Sequence, residues 1–450
     1  MSQITTSTDQ PEQTKNADPW ASILIATDKF INDLDCLSEM FSLVAPALKS
    51  KDEERNARIS QITVEIEKDG KKGLKLKSAE NAKELIGHFK QMRRADRLFR
   101  QSQITSVVSR FDEFIIEVLK VSYQQNIGWL KNPEKKVSYK ELLEIESFED
   151  FKNDLIRREV ELLARDSHSS QIEFLDTKLK LGVIDNFAGW KDFLEITERR
   201  NIFVHTGGRV SKQYMENCYR FGVAVDVKVK DGSLLSVSDD YIKKAVDIFY
   251  EISIRIGQAA VRRLFPASFE AADNFLNNTG VDLLTRERWD LAEKIFTYAL
   301  GVPSALRSSG DIRYYFLINL CIALKFGGKD YISMLESENW SPFHPKYHLA
   351  VAVLKDDYDL AQQLMRSQAV LEQISEMQFK GWPLFRNFRA TPQFEAAFRE
   401  IFQKDIAAEI IQDAKKEIEA QLDPSQVQQG TQVDSLVSGV QKAKSDATKP

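Results

Sequence analysis

The chain has 450 residues, 43% of them hydrophobic, with 19 glycines, 12 prolines and a formal charge of −5. That length allows two or three domains with apolar cores of their own. The charge excludes a uniformly basic nucleic-acid coat but leaves room for a local basic groove. Cys36, Cys218 and Cys321 are far apart and form no Cys-x-x-Cys pair, so neither a zinc site nor a disulfide framework is expected, and a reducing compartment is.

In chain order, residues 1–18 are Ser, Thr, Gln and charge, with Asp9, Glu12 and Asp18 where a signal peptide would need an apolar run; they read as disordered. No apolar run approaches the ~20 residues of a membrane span, Phe316 to Leu324 being about the longest. A cytoplasmic protein without membrane contact is expected. Residues 19–99 read as an accessory region. Trp20 to Leu48 repeats helically through Ile23, Phe30, Leu34 and Phe41. Ile62 to Ile66 and Leu74 to Leu76 then alternate on either side of Asp69-Gly70, the pattern of a small β-hairpin. From Ser78 to about Asn126 the pattern is helical again, as one helix or two. Within it Lys90, Arg93, Arg94, Arg97 and Arg100 recur at spacings of three and four, which lines them along one face. Such a stripe can track a phosphate backbone; the alternative is a solvated face of an amphipathic helix.

Residues 100–265 read as a helical domain. Ile104, Val108, Phe111, Ile115 and Val118 make an apolar stripe. A looser segment around Asn132-Pro133 follows, then helices from Ser138 to about Leu163, a loop at Ser167-His-Ser-Ser170, and a connection through Gly182 and Gly189. That connection leads to a helix from Trp190 to His205. Val223 to Val229 alternates into Asp231-Gly232 as a second short hairpin, and Ser238 caps a helix from Tyr241 to Leu264 that Pro266 closes. Residues 280–402 read as degenerate helical repeats. Trp289-Asp-Leu-Ala292 and Tyr358-Asp-Leu-Ala361 lie 69 apart, close to twice the roughly 34-residue tetratricopeptide period. Between them Leu320 to Ala323 and Tyr331 to Leu335 flank Gly327-Gly328, and Trp382 to Phe388 with Phe394 to Phe398 form a terminal pair. The aromatic residues Trp289, Tyr298, Tyr314, Tyr315 and Tyr358 are expected in the repeat core. Residues 403–422 form an amphipathic helix, and 423–450, rich in Gln, Ser and Lys, read as a disordered tail.

The chemistry centres on Glu198 to Tyr214. Arg200, polar Asn201 and three apolar residues lead to His205 at the end of a helical pattern, which Thr206-Gly207-Gly208 stops. Arginine stays charged and histidine titrates near neutrality, so the pair suits phosphodiester chemistry: Arg200 to neutralise charge, His205 to move a proton. On a straight helix the two lie about 140° apart and ~7.5 Å along the axis. Either the helix distorts at its end, or two protomers build a shared cleft. Asn201 and His205 share a face, so Asn201 can support the imidazole or the phosphate. Arg199, Arg209 and Lys212 join Lys90, Arg93, Arg97 and Arg100 as candidate contacts to a nucleic-acid backbone, which the resemblance below makes RNA-binding residues.

Arg200-Asn201, three apolar residues, His205 and Gly207-Gly208 resemble the signature of the HEPN family of all-helical domains, over roughly residues 100–265. The expected fold is therefore mainly α: a HEPN-like helical bundle with one or two small β-hairpins, followed by a tetratricopeptide-like repeat domain. The resemblance implies a metal-independent endoribonuclease acting as a homodimer, of a kind common in toxin–antitoxin and anti-phage systems. In it the RNA's own 2′-hydroxyl attacks the neighbouring phosphate and leaves a 2′,3′-cyclic phosphate. Arg200, Asn201 and His205 would be the catalytic residues, with no cofactor and no metal. The branch of the family with a tyrosine two residues past the histidine is departed from, since Gly207 stands there. The alternative is a non-catalytic dimerisation and RNA- or protein-binding scaffold with the same fold; in either case the C-terminal repeats would take a protein partner. His344 and His348 are spaced as metal ligands can be, yet Pro345 and the lack of a His-Glu-x-x-His pattern favour a helix start. His168 beside Ser167 and Ser169 lacks a Gly-x-Ser-x-Gly elbow and is not taken as a hydrolase site.

Overall fold

A computed structural model describes residues 18–68, 71–77, 82–131, 136–143, 145, 147–223, 229–308 and 311–421. The expected disorder of 1–17 and 423–450, the turn at Asp69-Gly70, the segment at Asn132-Pro133 and most of the expected second hairpin lie outside the described residues. The fold is mainly α. Its elements are α1 (Pro19–Ile62), the hairpin β1 (Thr63–Lys68) and β2 (Lys71–Leu76), α2 (Ala82–Gln125), α3 (Tyr139–Leu143), α4 (Phe148–Ala164), α5 (His168–Leu179), α6 (Val183–Asn186), α7 (Trp190–His205), α8 (Lys212–Arg220) and α9 (Asp239–Leu264). They continue as α10 (Phe269–Thr285), α11 (Trp289–Gly301), α12 (Ile312–Phe326), α13 (Ile332–Glu336), α14 (Pro345–Leu354), α15 (Tyr358–Met365), α16 (Gln368–Leu371), α17 (Glu376–Gly381), α18 (Pro392–Phe402) and α19 (Ile406–Gln421). The chain divides into two units: the first runs to Phe275 and includes Pro303–Ser308, and the second comprises Leu276–Val302 and the residues after Ser308. No helix among the described residues is long and apolar enough to cross a membrane.

In the first unit the stripe from Ile104 to Val118 becomes the core line of α2, with Ile104, Val108, Phe111, Ile115 and Val118 all buried. Phe111 is its hub. Its ring meets Phe30 of α1, Phe193 of α7 and Phe249 of α9 edge-on at centroid distances of 5.7, 5.4 and 5.2 Å, a geometry that places positive ring edges on negative ring faces. The residue-99 boundary between accessory region and domain falls inside α2, which is one helix rather than two. The first half of α1 belongs to the same core through Ile23, Phe30 and Leu34. Ser167-His-Ser-Ser170 is not a loop. Ser167 is the N-cap of α5 and accepts a hydrogen bond from the Ser170 backbone, which the string of small polar residues conceals. Likewise α8, capped by Ser211, follows the Gly-Gly stop where no helix was expected.

The second unit is built of helix pairs. Helices α10, α12 and α14 each end in the same turn, with Glu287, Gly328 and Asp356 in the left-handed region at φ of 61°, 71° and 58°. The next residue's N–H closes back each time: Arg288 to Leu283 O (2.9 Å), Lys329 to Leu324 O (2.8 Å) and Asp357 to Ala352 O (2.9 Å). This closure satisfies carbonyls that the helix end leaves open and folds α11, α13 and α15 back as partners. Trp289 and Tyr358, at matching positions after their turns, stack on Phe326 (5.2 Å) and Phe388 (5.3 Å). Gly328 falls well past the midpoint between Glu287 and Asp356, so the hairpins are of unequal length. His344 caps α14 by accepting from the Lys346 backbone, and His348 Nε2 lies 2.8 Å from Trp340 O.

Two chemical predictions follow from burial. Tyr123 is 4% exposed, packed on Phe174 and Trp129, and burial pushes its phenol up to about 12 from 10.0. Its neutral form is favoured in the fold, so its contribution to stability is complete below pH 10 and is lost as pH rises towards about 12. The urea midpoint is expected to fall across that window in step with phenolate absorbance. Burial also pushes the Cys218 and Cys321 thiols up, to about 11 and about 12, whereas Cys36 is exposed. One thiol per chain, at Cys36, is expected to react with a disulfide reagent at neutral pH, and Cys36→Ser to abolish the fast phase.

Candidate functional site

Helix α7 is held at both ends. At its N-cap, Gly189 sits so close to its neighbours that a Cβ there would lie 2.5 Å from the Phe187 ring and 2.7 Å from the Ile248 side chain. Phe193, Leu194, Ile196, Ile202 and Phe203 are buried along its length. At the far end the Thr206 and Gly208 N–H groups both bond Ile202 O, at 3.0 and 2.9 Å, and Gly207 and Gly208 take φ of 61° and 86°. The helix therefore stops where the Gly-Gly pair sets it. A side chain at Gly208 would be strained by its φ and would run into Gln101 Nε2 at 2.5 Å.

Arg200 and His205 point to different surroundings, as the period of an undistorted helix dictates. The Arg200 Nη2 donates to Asp112 Oδ2 at 3.0 Å, and the other oxygen of Asp112 lies 2.7 Å from His168 Nε2. Nη1 reaches Asn201 Oδ1 at 3.3 Å, and Nε is buried without a hydrogen-bond partner among the described residues. His168 is itself 8% exposed, set against the rings of Phe111 and Phe193. One carboxylate thus bridges the arginine of α7 and the histidine that opens α5. His205, by contrast, is exposed and makes no hydrogen bond among the described residues. Glu198, beside them on the helix, accepts from Asn217 of α8 at 2.8 Å.

The candidate RNA contacts separate into two groups. Arg199 is engaged inside the fold: it donates to Glu195 (2.7 Å) and Ser236 O (3.2 Å) and lies 4.1 Å over the Tyr241 ring. Glu195 also accepts from the hydroxyls of Tyr214 (2.7 Å) and Tyr241 (2.6 Å), so one buried carboxylate ties α7, α8 and α9 together. Burial alone would lower the Arg199 guanidinium, but the surrounding Tyr241 and Glu195 groups raise it above its ordinary value. Burial, with Glu195 close by, raises both phenols. Arg100 is engaged too, bonded to Asp96 (2.8 Å) and to Asp239 at the start of α9. Lys90, Arg93, Arg209 and Lys212 are exposed, Arg97 is half-buried, and Arg209 donates to Gly232 O at 3.2 Å. A cleft of about 480 Å³ between α1 and α2 is lined by Lys49, Arg93 and Arg100 with Asp52, Asp96 and Asp239. The basic stripe borders this cleft, which neither Arg200 nor His205 lines.

Sequence reasoning missed Asp112 and Glu195, and weighed His168 only as a hydrolase residue, not as a partner of Asp112. Asp112 follows Phe111 directly in the apolar line, and a carboxylate beside a core position is a weak hint; the pairing itself spans 88 residues. Among the described residues no group of three or more His, Cys, Asp or Glu is arranged to hold a metal ion. Compared with known proteins, the chain matches no family model, no curated protein and no solved structure.

Proposed function

We propose that the protein is a metal-independent endoribonuclease of the HEPN type, with a site shared between two copies of the chain. The observation that carries this reading is the disposition of α7. Its glycine-terminated end presents an exposed histidine without a hydrogen-bond partner among the described residues, five residues after an arginine whose guanidinium bonds the Asp112 carboxylate. In the reaction the RNA 2′-oxygen gives its proton to a His205 imidazole and bonds the adjacent phosphorus. The bond from phosphorus to the 5′-oxygen breaks, the leaving oxygen takes a proton from water while the His205 imidazolium returns its own to solvent, and a 2′,3′-cyclic phosphate and a 5′-hydroxyl remain. Arg200 balances the charge that gathers on the phosphoryl oxygens, and Asn201 steadies it. Since one helix does not aim both groups at one phosphate, Arg200 of one copy works with His205 of the other. The helix pairs of the second unit would recruit a protein that restrains or triggers cutting, as in toxin or anti-phage systems.

The Arg200–Asp112 ion pair favours one other reading, a non-catalytic dimerisation and binding scaffold, because an arginine already neutralised needs no phosphate. Incubation of the purified chain with tRNA-sized RNA in EDTA decides between them. Products ending in 2′,3′-cyclic phosphate are expected at concentrations where the chain is dimeric. RNA that stays intact under those conditions, with the restraining partner absent, would favour the scaffold.

A further inference from the structure

We propose that the outer face of α1 is a docking surface for a second copy of this chain. The two α1 helices pair antiparallel about a two-fold axis that passes midway between Met40 and Leu43. Nothing in this pairing rests on the ribonuclease reading.

Helix α1 carries apolar residues on more than one side. Ile23, Phe30 and Leu34 are buried in the core, as the inner stripe of an amphipathic helix should be. Cys36, Met40, Leu43 and Ala47 follow one another at spacings of four, three and four, and all four are exposed. Met40 is 53% and Leu43 68% exposed, with Val44 beside them at 37%. Such spacings set residues in one line along a helix, and their alternation is the seam pattern of a coiled coil. Pro46, inside the helix, lies off that line. A contiguous apolar stripe left in solvent marks a contact surface.

The order of side chains along the line identifies what covers it. From either end it runs small, large, large, small: Cys36, Met40, Leu43, Ala47. A two-fold contact joins a surface to itself, so each pairing of two positions occurs in both directions. Turned end for end, one helix sets Met40 against Leu43 of the other copy and Cys36 against Ala47. The same spacings continue outward through Asp33 and Lys29 and through Ser50 and Glu54. Antiparallel pairing brings Lys29 of one copy to Glu54 of the other. Parallel pairing would set Lys29 against Lys29 and Glu54 against Glu54. Both side chains stand in solvent, 63% and 56% exposed, in surface pairs with Glu113 and Lys51. Charge therefore favours a second copy and fixes its direction. From Lys29 to Glu54 the contact follows about 38 Å of helix. Helices α1 and α7 both pack on α2 and α9, in opposite grooves of that pair, so this interface is additional to the shared site at α7.

The native thiol tests the pairing. In an antiparallel pair the two Cys36 residues lie about 16 Å apart along the axis, too far for a disulfide, and Cys218 and Cys321 are buried. Under mild oxidation the parent should stay uncrosslinked, and so should Cys36→Ser/Ala47→Cys. A mixture of the two should yield a covalent dimer containing one chain of each. The reaction of Cys36 with a disulfide reagent should slow as chain concentration rises, because Ala47 of the other copy covers it. In sedimentation equilibrium, Met40→Glu/Leu43→Glu should associate about tenfold or more weakly while its thermal midpoint stays that of the parent. Lys29→Glu should weaken association in the same sense, and Lys29→Glu/Glu54→Lys should restore it. Three results overturn the proposal: a parent that crosslinks to itself through Cys36, which is parallel pairing; a mixture that gives no mixed dimer; and association that Met40→Glu/Leu43→Glu leaves unchanged, which would assign the stripe to a different chain.

Discussion

On the proposed ribonuclease reading, Arg200→Ala and His205→Ala are each expected to lower RNA cleavage by about 10²–10⁴, the range for losing a general acid–base or a charge-stabilising group. His205 is exposed and makes no hydrogen bond among the described residues, so its removal is expected to leave the thermal midpoint of the chain unchanged. The sharper result comes from mixing the two inactive proteins. In a shared site with two-fold symmetry, a mixed dimer has one site that lacks both groups and one that lacks neither. Random exchange makes half the dimers mixed, so the mixture should recover about a quarter of the parent rate. A site built within one chain predicts no recovery at all. Asp112→Asn adds a further arm: if the carboxylate aligns Arg200, the rate falls, whereas if it only neutralises Arg200, the rate rises. Rates measured per dimer at matched RNA concentration separate these outcomes.

The largest loss of stability is expected at Asp273→Ala. Arg262 and Asp273 are 2% and 1% exposed and 2.7 Å apart. Arg262 also donates to Gln258 Oε1 (2.8 Å) and Leu306 O (2.7 Å), and the second oxygen of Asp273 accepts from the Ser308 N–H and hydroxyl, both at 2.7 Å. Deleting one member of a buried, hydrogen-bonded pair leaves the other charge without water or counter-ion, at a cost of about 3–5 kcal/mol. Arg262→Met with Asp273→Leu, which removes both charges and keeps volume, should be far milder than either truncation alone. Urea unfolding of the first unit measures both; a single variant within about 1 kcal/mol of the parent would show that the pair is solvated.

Helix positions with strong local signals were legible in the sequence. The core line of α2, the serine cap of α9 and the Gly-Gly end of α7 are each written in a few adjacent residues. The hairpin appeared at its strands for the same reason, because alternation is a local property. What could not be read was anything settled by distant partners. Arg100 in the basic stripe and Arg199 in α7 look like free cations, and only the folded chain brings Asp239 to the first and Tyr241 and the Ser236 carbonyl to the second. Asp112 was passed over because it carries no motif, and His168 was weighed only for a hydrolase pattern; their meeting depends on how α2, α5 and α7 pack. Ser167 shows the converse failure, a cap whose polar neighbours resemble a loop.

The strap Pro303–Ser308 is drawn into the first unit although α11 before it and α12 after it belong to the second. The chain therefore crosses between its units three times, and no single cut parts them. A fragment ending at Pro266 would leave Arg262 a buried cation with neither Asp273 nor the Leu306 carbonyl. Fragment design and limited proteolysis must respect this: a nick anywhere in α10 or α11 should leave the two halves held together until denaturant is added.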